Sequence, residues 1–259
     1  TFVALLARLT DADVAASDDL TGNAEQSADW DLELKTGAIE AQFALDASAL
    51  PQWAGTLATY TVINTNDSGA GSLRQAIADA NTNAGADLIN FNITAALVGG
   101  AHTITPTTAL PTITDAVVID ASTEPDYASN GNKPVVVLDG NNLASDGLVL
   151  SGAADGSTIR GLVIRDFGGD GIEIQAGSDN NTIAGNFIGQ LTTTGSDAGA
   201  GEGNAANGIR VLGANNTIGG LTAADRNVLS GNNQGIQVTD TSDAGNTIIG
   251  NYIGVAADF

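Results

Sequence analysis

The stretch "NTIAGNFIG", Asn181–Gly189, returns as "NTIIGNYIG", Asn246–Gly254, with seven of its nine residues unchanged. The two differences replace one apolar or aromatic residue by another. A phrase that recurs so closely within a chain of 259 residues indicates a repeated structural unit.

A second phrase repeats between the copies of the first. It reads "DGLVL" from Asp146, "DGIEI" from Asp170, "NGIRV" from Asn207 and "QGIQV" from Gln234. The first two of its glycines, Gly147 and Gly171, are 24 residues apart, and the longer gaps fit inserts at residues 190–206 and 221–225. A period in the low twenties with short strands predicts a β-solenoid.

The apolar residues of this second phrase alternate with polar ones. Ile172 and Ile174 flank Glu173, so the two isoleucines share one face of a strand. Successive repeats would then place Ile172, Ile209 and Ile236 directly on one another and build a continuous core. Upstream strands are predicted at residues 88–93, 102–106, 116–121 and 134–140.

Asparagine recurs at equivalent places in the first phrase. The two sets are Asn181, Asn216 and Asn246, and Asn186, Asn227 and Asn251. Asparagine tolerates left-handed backbone angles and can form hydrogen-bonded stacks, so we expect these residues at turns between strands, bonded to one another. A ligand-binding row of asparagines is the alternative.

One segment, "GSLRQAIADANTNAG", predicts a helix near residues 72–82. Ser72 and Gln75 have the spacing of a capping box, and an apolar stripe follows at helical spacing, formed by Leu73, Ala76, Ile77 and Ala80. We expect this amphipathic helix to cap the N-terminal end of the solenoid core. The predicted domains are therefore an acidic leader at 1–58 and a solenoid at 59–259.

The leader is polar and acidic, and its alternating stretch around Thr36 and Gly37 predicts an extended segment or a hairpin. Four aspartates lie within nine residues of it, at Asp11, Asp13, Asp18 and Asp19. Hard oxygen donors at this density could hold Ca²⁺, and a solvated acidic loop is the alternative. No other cofactor is predicted.

The composition excludes several classes of function. The chain has 8 Lys and Arg against 30 Asp and Glu, a formal net charge of −22, which predicts no binding to nucleic acid or to an anionic membrane. Without cysteine there are no disulfides or thiolate metal sites. No apolar run reaches the length of a membrane helix. The absence of Met predicts a piece of a longer polypeptide.

The stretch "GSLRQAI", Gly71–Ile77, resembles the C-S-L-R-E-A motif that opens right-handed parallel β-helix regions in bacterial surface proteins. Gly71 stands for the Cys and Gln75 for the Glu. Downstream phrases are similar to the repeats of the same proteins, so that the resemblance covers residues 60–259; these are "LPTITDAVVIDA", "GSTIRGLVI", "AADRNVLSGN" and "NTIIGNYIG". The leader resembles the stretch that precedes these repeats in very large secreted, often adhesin-like, bacterial proteins.

The resemblance implies an all-β fold, a right-handed parallel β-helix, and a location on the bacterial cell surface or outside the cell. We therefore expect a structural or adhesive module without catalytic residues, which could assemble into a fibre. Its expected partners are further copies of itself, other surface proteins or extracellular polysaccharide.

The alternative is a polysaccharide lyase or glycoside hydrolase of pectate-lyase-like fold, because parallel β-helices also carry such enzymes. Its catalytic groups would be Asp146 and Asp170, which precede equivalent glycines, with Arg165 nearby in sequence. Stacked carboxylates are typical of acid–base pairs. Asn207 and Gln234 occupy the same place in later repeats, which favours a polar turn instead. The single histidine, His102, is interpreted as packed or solvated.

Overall fold

The computed structural model describes residues 57–239 and 245–255, together with the backbone of two short strands in the leader. The chain divides into two units, Thr1–Ala58 with Asn83–Ala86, and Thr59–Thr82 with Asp87–Phe259. In the first unit β1 (Ala15–Ala16) pairs antiparallel with β2 (Leu34–Lys35). The predicted hairpin around Thr36 and the four aspartates at 11, 13, 18 and 19 lie outside the described residues.

The second unit consists mostly of short strands in three parallel sheets. The seven-stranded sheet contains β3 (Thr59–Val62), β4 (Asp87–Phe91), β6 (Val117–Asp120), β9 (Thr158–Arg160), β12 (Thr182–Ala184), β15 (Thr217–Gly219) and β18 (Thr247–Ile249). The six-stranded sheet contains β5 (His102–Ile104), β7 (Val136–Leu143), β10 (Leu162–Phe167), β13 (Phe187–Gly189), β16 (Val228–Ser230) and β19 (Tyr252–Ile253). The four-stranded sheet contains β8 (Leu148–Leu150), β11 (Ile172–Ile174), β14 (Asn207–Val211) and β17 (Gln234–Val238).

From β7 to β19 the chain visits the three sheets in a fixed rotation. Each strand pairs in parallel with the strand three places further along the chain, so β7 pairs with β10, β10 with β13 and β13 with β16. We call one passage through the three sheets a repeat. The four upstream strands predicted from the sequence are confirmed, as β4, β5, β6 and β7.

The apolar residues of successive repeats lie directly on one another. Ile172 is paired with Leu148 on one side and with Ile209 on the other, and Ile209 is paired with Ile236. The predicted stacking of the three isoleucines is confirmed. Rows of this kind form one buried cluster that extends from Val62 to Leu229.

The predicted helix is confirmed as α1 (Leu73–Ala80), and all four residues of its apolar stripe are buried. The Ser72 side chain accepts a hydrogen bond from the Gln75 amide at 3.2 Å. The second half of the predicted capping box is wrong, because the Gln75 side chain donates to Asp79 Oδ1 at 2.7 Å instead. A short helix that the sequence did not predict, α2 (Pro125–Ser129), follows β6.

The six-stranded sheet is apolar on both faces. Its inner residues belong to the main core, and its outer face carries a second buried cluster, the outer row, whose members are Val137, Val163, Phe187, Val228 and the flanking Leu191, with partly buried Tyr252 at the end. In the outer row Phe187 is paired with Val163 and Val228, and Val228 with Tyr252. Among the described residues no helix is long and apolar enough to cross a membrane.

Candidate functional site

The recurrent asparagines form hydrogen-bonded columns between repeats, as predicted. Asn227 Oδ1 accepts from the Asn186 amide at 3.0 Å, and its Nδ2 donates to the Ile183 carbonyl at 2.7 Å. The same pattern joins Asn216 to Asn181 and Asn246 to Asn216. The backbone groups at these turns lie outside the sheets and have no strand partner there. Each asparagine side chain both accepts from and donates to groups of the neighbouring repeat, so it supplies the missing hydrogen bonds.

None of these asparagines has the left-handed backbone that asparagine tolerates. In the first set each follows a residue with positive φ, namely Asn180 at 60°, Asn215 at 57° and Gly245 at 96°. In the second set Gly185 at 68° and Gly250 at 72° precede Asn186 and Asn251, whereas Asn227 follows Arg226 at −67°. Asn181, Asn186, Asn216 and Asn227 are buried, and Asn246 and Asn251 of the last repeat are partly buried. Each bonds to the neighbouring repeat, so the alternative of a ligand-binding row has no support from their contacts.

The aspartates predicted as an acid pair form a similar column. Asp146 Oδ1 accepts from the Asp170 amide at 2.6 Å, and Asp170 Oδ1 accepts from the Asn207 amide at 2.8 Å and from its side chain at 2.7 Å. Asp170 is buried. The two residues therefore lie in adjacent repeats, but their oxygens are directed at backbone donors rather than at a shared cleft.

Arg165, the third residue of the enzyme alternative, has partners of its own. Its guanidinium contacts Asp139 at 2.8 Å and Glu202 at 3.3 Å. Among the ion pairs of the described residues, none joins Arg165 to Asp146 or Asp170. The neighbouring Asp166 is buried close to Asp139 and Glu202, and burial first, then these two charges, raises the pKa of its carboxyl.

His102 belongs to a cluster that the sequence did not predict. Its Nε2 lies 3.3 Å from Asp126 Oδ2 and 3.7 Å from Glu124 Oε1, and His102 and Glu124 are both buried. The second oxygen of Glu124 accepts from the Ile93 amide at 2.8 Å. The three donor atoms lie within 4.8 Å of one another, close enough to share a small divalent cation, and a protonated imidazole would satisfy the same carboxylates without one.

No spacing in the sequence could have shown this cluster. Glu124 and Asp126 lie in a segment with turn composition, and His102 lies 22 residues earlier in β5. The contact depends on α2 folding back over the end of that strand.

A groove lies over the outer row of the six-stranded sheet. It has a volume of about 410 Å³, and its lining includes Phe187, Val228 and Tyr252 of the outer row, Tyr127 and residues 131–134 on one side, and Ala223, Ala224 and Arg226 on the other. Burial raises the pKa of the Tyr127 hydroxyl above its ordinary value. A volume of this size is typical of small-molecule sites.

The groove is positively charged in a strongly acidic chain. It is lined by Lys133 and Arg226, and no carboxylate residue is among its lining residues. Six basic side chains lie in the described ranges, and four of them form ion pairs with carboxylates: Arg74, Arg160, Arg165 and Arg210. Within those ranges, the two basic residues without a carboxylate partner are the two in the groove.

Both cations are held in place by backbone carbonyls. The Arg226 guanidinium lies over the Tyr252 ring, 4.1 Å from its centroid, and its Nε donates to the Gly250 carbonyl at 3.1 Å. Lys133 Nζ donates to the Thr194 carbonyl of the 190–206 insert at 3.0 Å. The closest acid in sequence, Asp225, accepts instead from the Thr222 hydroxyl at 2.6 Å.

Residues 1–57 match a family described as Domain of unknown function (DUF4347). The match covers the leader and none of the described groove or columns. No curated protein matches the chain, and no solved structure does.

In the His102 cluster, the histidine and Glu124 are buried, the Asp126 side chain is 41% exposed, and the three groups largely satisfy one another. The groove is open, and its cations retain unused N–H donors, so it has the better capacity to bind a ligand.

Proposed function

We propose that the three sheets are the faces of a right-handed parallel β-helix, and that this chain is a structural or adhesive module of a large secreted bacterial cell-surface protein. The observation that carries the proposal is the unbroken pairing of each strand with the strand three places further on, from β7 to β19. A chain that returns to each sheet once per repeat, with the same residues stacked each time, gains its stability from neighbouring repeats.

The side-chain columns support a mechanical role. Each asparagine or aspartate column adds side-chain hydrogen bonds between repeats to those of the three sheets, for example from Asn216 to Asn181 and from Asp170 to Asp146. Such columns resist shear between repeats, because sliding one repeat breaks bonds in every column. α1, whose apolar stripe is part of the main core, would close the N-terminal end of the helix.

The last described strands support self-association. β17, β18 and β19 each stand at the end of their sheet, and several large apolar side chains there are exposed, namely Val238, Ile248, Ile249, Ile253 and Val255. An apolar sheet edge of this kind can pair with further strands. Stacking of another copy on this edge would join the sheets of two copies, and growth into a fibre would need a further contact at the end that α1 covers.

Sedimentation velocity tests the assembly. We expect the full chain to form larger species as its concentration rises, and Ile248→Lys to suppress them. Val98→Lys is the matched control, because Val98 is also exposed but lies in a loop before β5. A chain that stays monomeric at every concentration, or that is unaffected by Ile248→Lys, contradicts assembly through this edge.

The proposed location has its own test. Antibodies raised against the chain should label intact source cells or their culture medium. Labelling that requires permeabilised cells contradicts the surface or extracellular location, whatever the assembly state.

Polysaccharide cleavage, the enzyme alternative, is not favoured by the contacts of its three residues. Asp146 and Asp170 cap the next repeat, and Arg165 is paired with Asp139 and Glu202. Incubation with acidic and neutral polysaccharides should release no new reducing ends. Cleavage that is lost in Asp170→Asn but kept in Asp155→Asn would instead support the enzyme.

A further inference from the structure

We infer that the groove between α2 and residues 223–226 binds a single carboxylate-bearing sugar residue. This inference names the ligand of the adhesive module and rests on the proposed function for its biological setting.

Charge selects an anion. The whole chain carries −22, yet the two basic residues in the described ranges that pair with no carboxylate both line this groove. Against the acidic background, two unneutralised cations in one concave site create a local region of opposite potential.

The geometry of Arg226 favours a carboxylate in particular. Its Nε donates to the Gly250 carbonyl and its Cζ lies over the Tyr252 ring, while its two terminal nitrogens make no hydrogen bond to any residue the structure describes. A guanidinium already held by stacking can bind a carboxylate through two parallel N–H bonds with little loss of side-chain entropy. Lys133, bonded once to Thr194, has further N–H donors for the same anion or for a neighbouring oxygen.

The floor favours a sugar ring. Phe187 and Val228 give the floor a narrow strip of apolar surface beside the Tyr252 ring that Arg226 covers, and Tyr127 and Asn132 line the side. Sugars have C–H faces that pack on such a surface and hydroxyls that bond to amides and phenols.

An extended acidic peptide fits less well. Peptides that bind to sheets add a strand at a free edge, but β13 and β16 of the floor are each paired on both sides. The free edge of the sheet lies at β19, where we propose that another copy of the chain pairs. At β13 and β16 the floor therefore offers only side chains. The surrounding acidic surface also repels long polyanions, which limits the ligand to one acidic residue or a short oligomer.

Isothermal titration of the full chain with a galacturonate trisaccharide tests the inference. We expect saturable binding that weakens with added NaCl, and about tenfold weaker binding for each of Arg226→Gln and Lys133→Gln. Arg210→Gln is the matched control, because it removes the same charge from a residue outside the groove that pairs with Glu173. Its binding should equal that of the unchanged chain.

Three results would overturn the inference: no binding of the acidic trisaccharide, equal binding of a galactose trisaccharide, or undiminished binding in the double variant with native circular dichroism. Equal binding of triglutamate would point to an acidic protein partner and also contradict the sugar. None of these measurements depends on assembly or location, so the inference and the proposed function can fail separately.

Discussion

Each asparagine of the columns uses both halves of its amide. Asn227 accepts from one backbone amide and donates to the Ile183 carbonyl and to Asn251 Oδ1, at 2.7 and 2.9 Å. An aspartate in its place has the acceptors but no donor, and would place a buried negative charge against two oxygens. The Asp146–Asp170 column avoids this conflict because its oxygens face N–H groups.

Asn227→Asp should therefore destabilise the chain by about 3 kcal/mol at pH 7. The deficit should shrink at low pH, because a protonated carboxyl regains a donor. Urea unfolding of the variant and the unchanged chain at both pH values measures it. Asn227→Ala is the control, because it leaves the same backbone groups without hydrogen-bond partners and adds no charge. Unchanged stability of the Asn227→Asp chain would contradict the role of the amide donor.

The surroundings and the backbone angle of Asp166 both oppose an ionised aspartate at this position. It is buried near Asp139 and Glu202, which raises the pKa of its carboxyl, and its φ of 56° lies in the left-handed region. An acid whose pKa is raised by folding binds its proton more tightly in the folded state. Its ionisation therefore lowers stability as pH rises from the unfolded pKa, about 3.9, through the raised folded value.

Asp166→Asn should raise stability at pH 7, because asparagine removes the buried charge and tolerates the same backbone angle. The gain should disappear below about pH 3.9, where Asp166 is protonated in both states. Chemical denaturation across this pH range measures it. Asp155→Asn, an equal charge change at an exposed residue, should show no comparable gain, and a gain for Asp166→Asn that is independent of pH would contradict the electrostatic cause.

At the scale of the strand, the glycine of the second repeated phrase is a spacing requirement. A Cβ on Gly171 would lie 2.7 Å from the Gly208 carbonyl oxygen, and one on Gly147 would lie 2.5 Å from the Gly171 oxygen. Neither glycine has a positive φ, so close approach of the next repeat, not backbone freedom, explains the repeated residue.

Gly171→Ala should cost about 1–3 kcal/mol, because the repeats must move apart to admit a methyl group. Gly156→Ala is the comparison, because a methyl group added there contacts no atom within 4 Å. The φ of 75° at Gly156 adds backbone strain to that variant. Thermal unfolding measures both. A Gly171→Ala chain as stable as the unchanged one would show that the spacing of β11 and β14 is adjustable.

α1 joins the core through its stripe and the neighbouring loop through one arginine. Leu73 and Ile77 are almost completely buried. Arg74 contacts Asp67 at 2.6 Å and donates to the carbonyls of Thr108 and Ala109. The leucine and arginine of the "S-L-R" stretch thus have separate tasks, burial and attachment.

Leu73→Ala should destabilise the chain by about 3 kcal/mol through the cavity it leaves. Ala78→Gly, a change in the same helix at a half-buried residue, should cost about 1 kcal/mol from helix propensity. Urea unfolding of both variants separates core closure from helix formation. Equal losses in the two variants would mean that α1 does not close the core.

For the whole molecule, charge opposes compaction. A net charge of −22 produces self-repulsion that salt screens over about 10 Å at 0.1 M. The melting temperature should therefore rise with NaCl between low and moderate ionic strength, as differential scanning calorimetry can measure. A melting temperature that falls over this range would mean that ion pairs such as Arg165–Asp139 outweigh the repulsion.

The melting temperature in CaCl₂, compared with that in NaCl at the same ionic strength, tests the predicted calcium site of the leader. Stabilisation beyond that given by NaCl, and reversed by a chelator, would support the predicted site at Asp11, Asp13, Asp18 and Asp19. Loss of the extra effect on neutralising these aspartates would locate it there.

The sequence by itself determined the parallel, mostly β architecture, the stacking of Ile172, Ile209 and Ile236, the asparagine columns and the helix α1, because all of these follow from local periodicity repeated along the chain. Only the tertiary structure decided which residues meet across sheets. The outer row had one local signal, the unbroken apolar run at 135–138, which is typical of a strand buried on both faces. The His102 cluster and the cationic groove had none, because they are formed by connections between strands, at 124–134 and 223–226, that belong to no repeating pattern and whose contacts depend on the path of the chain between strands.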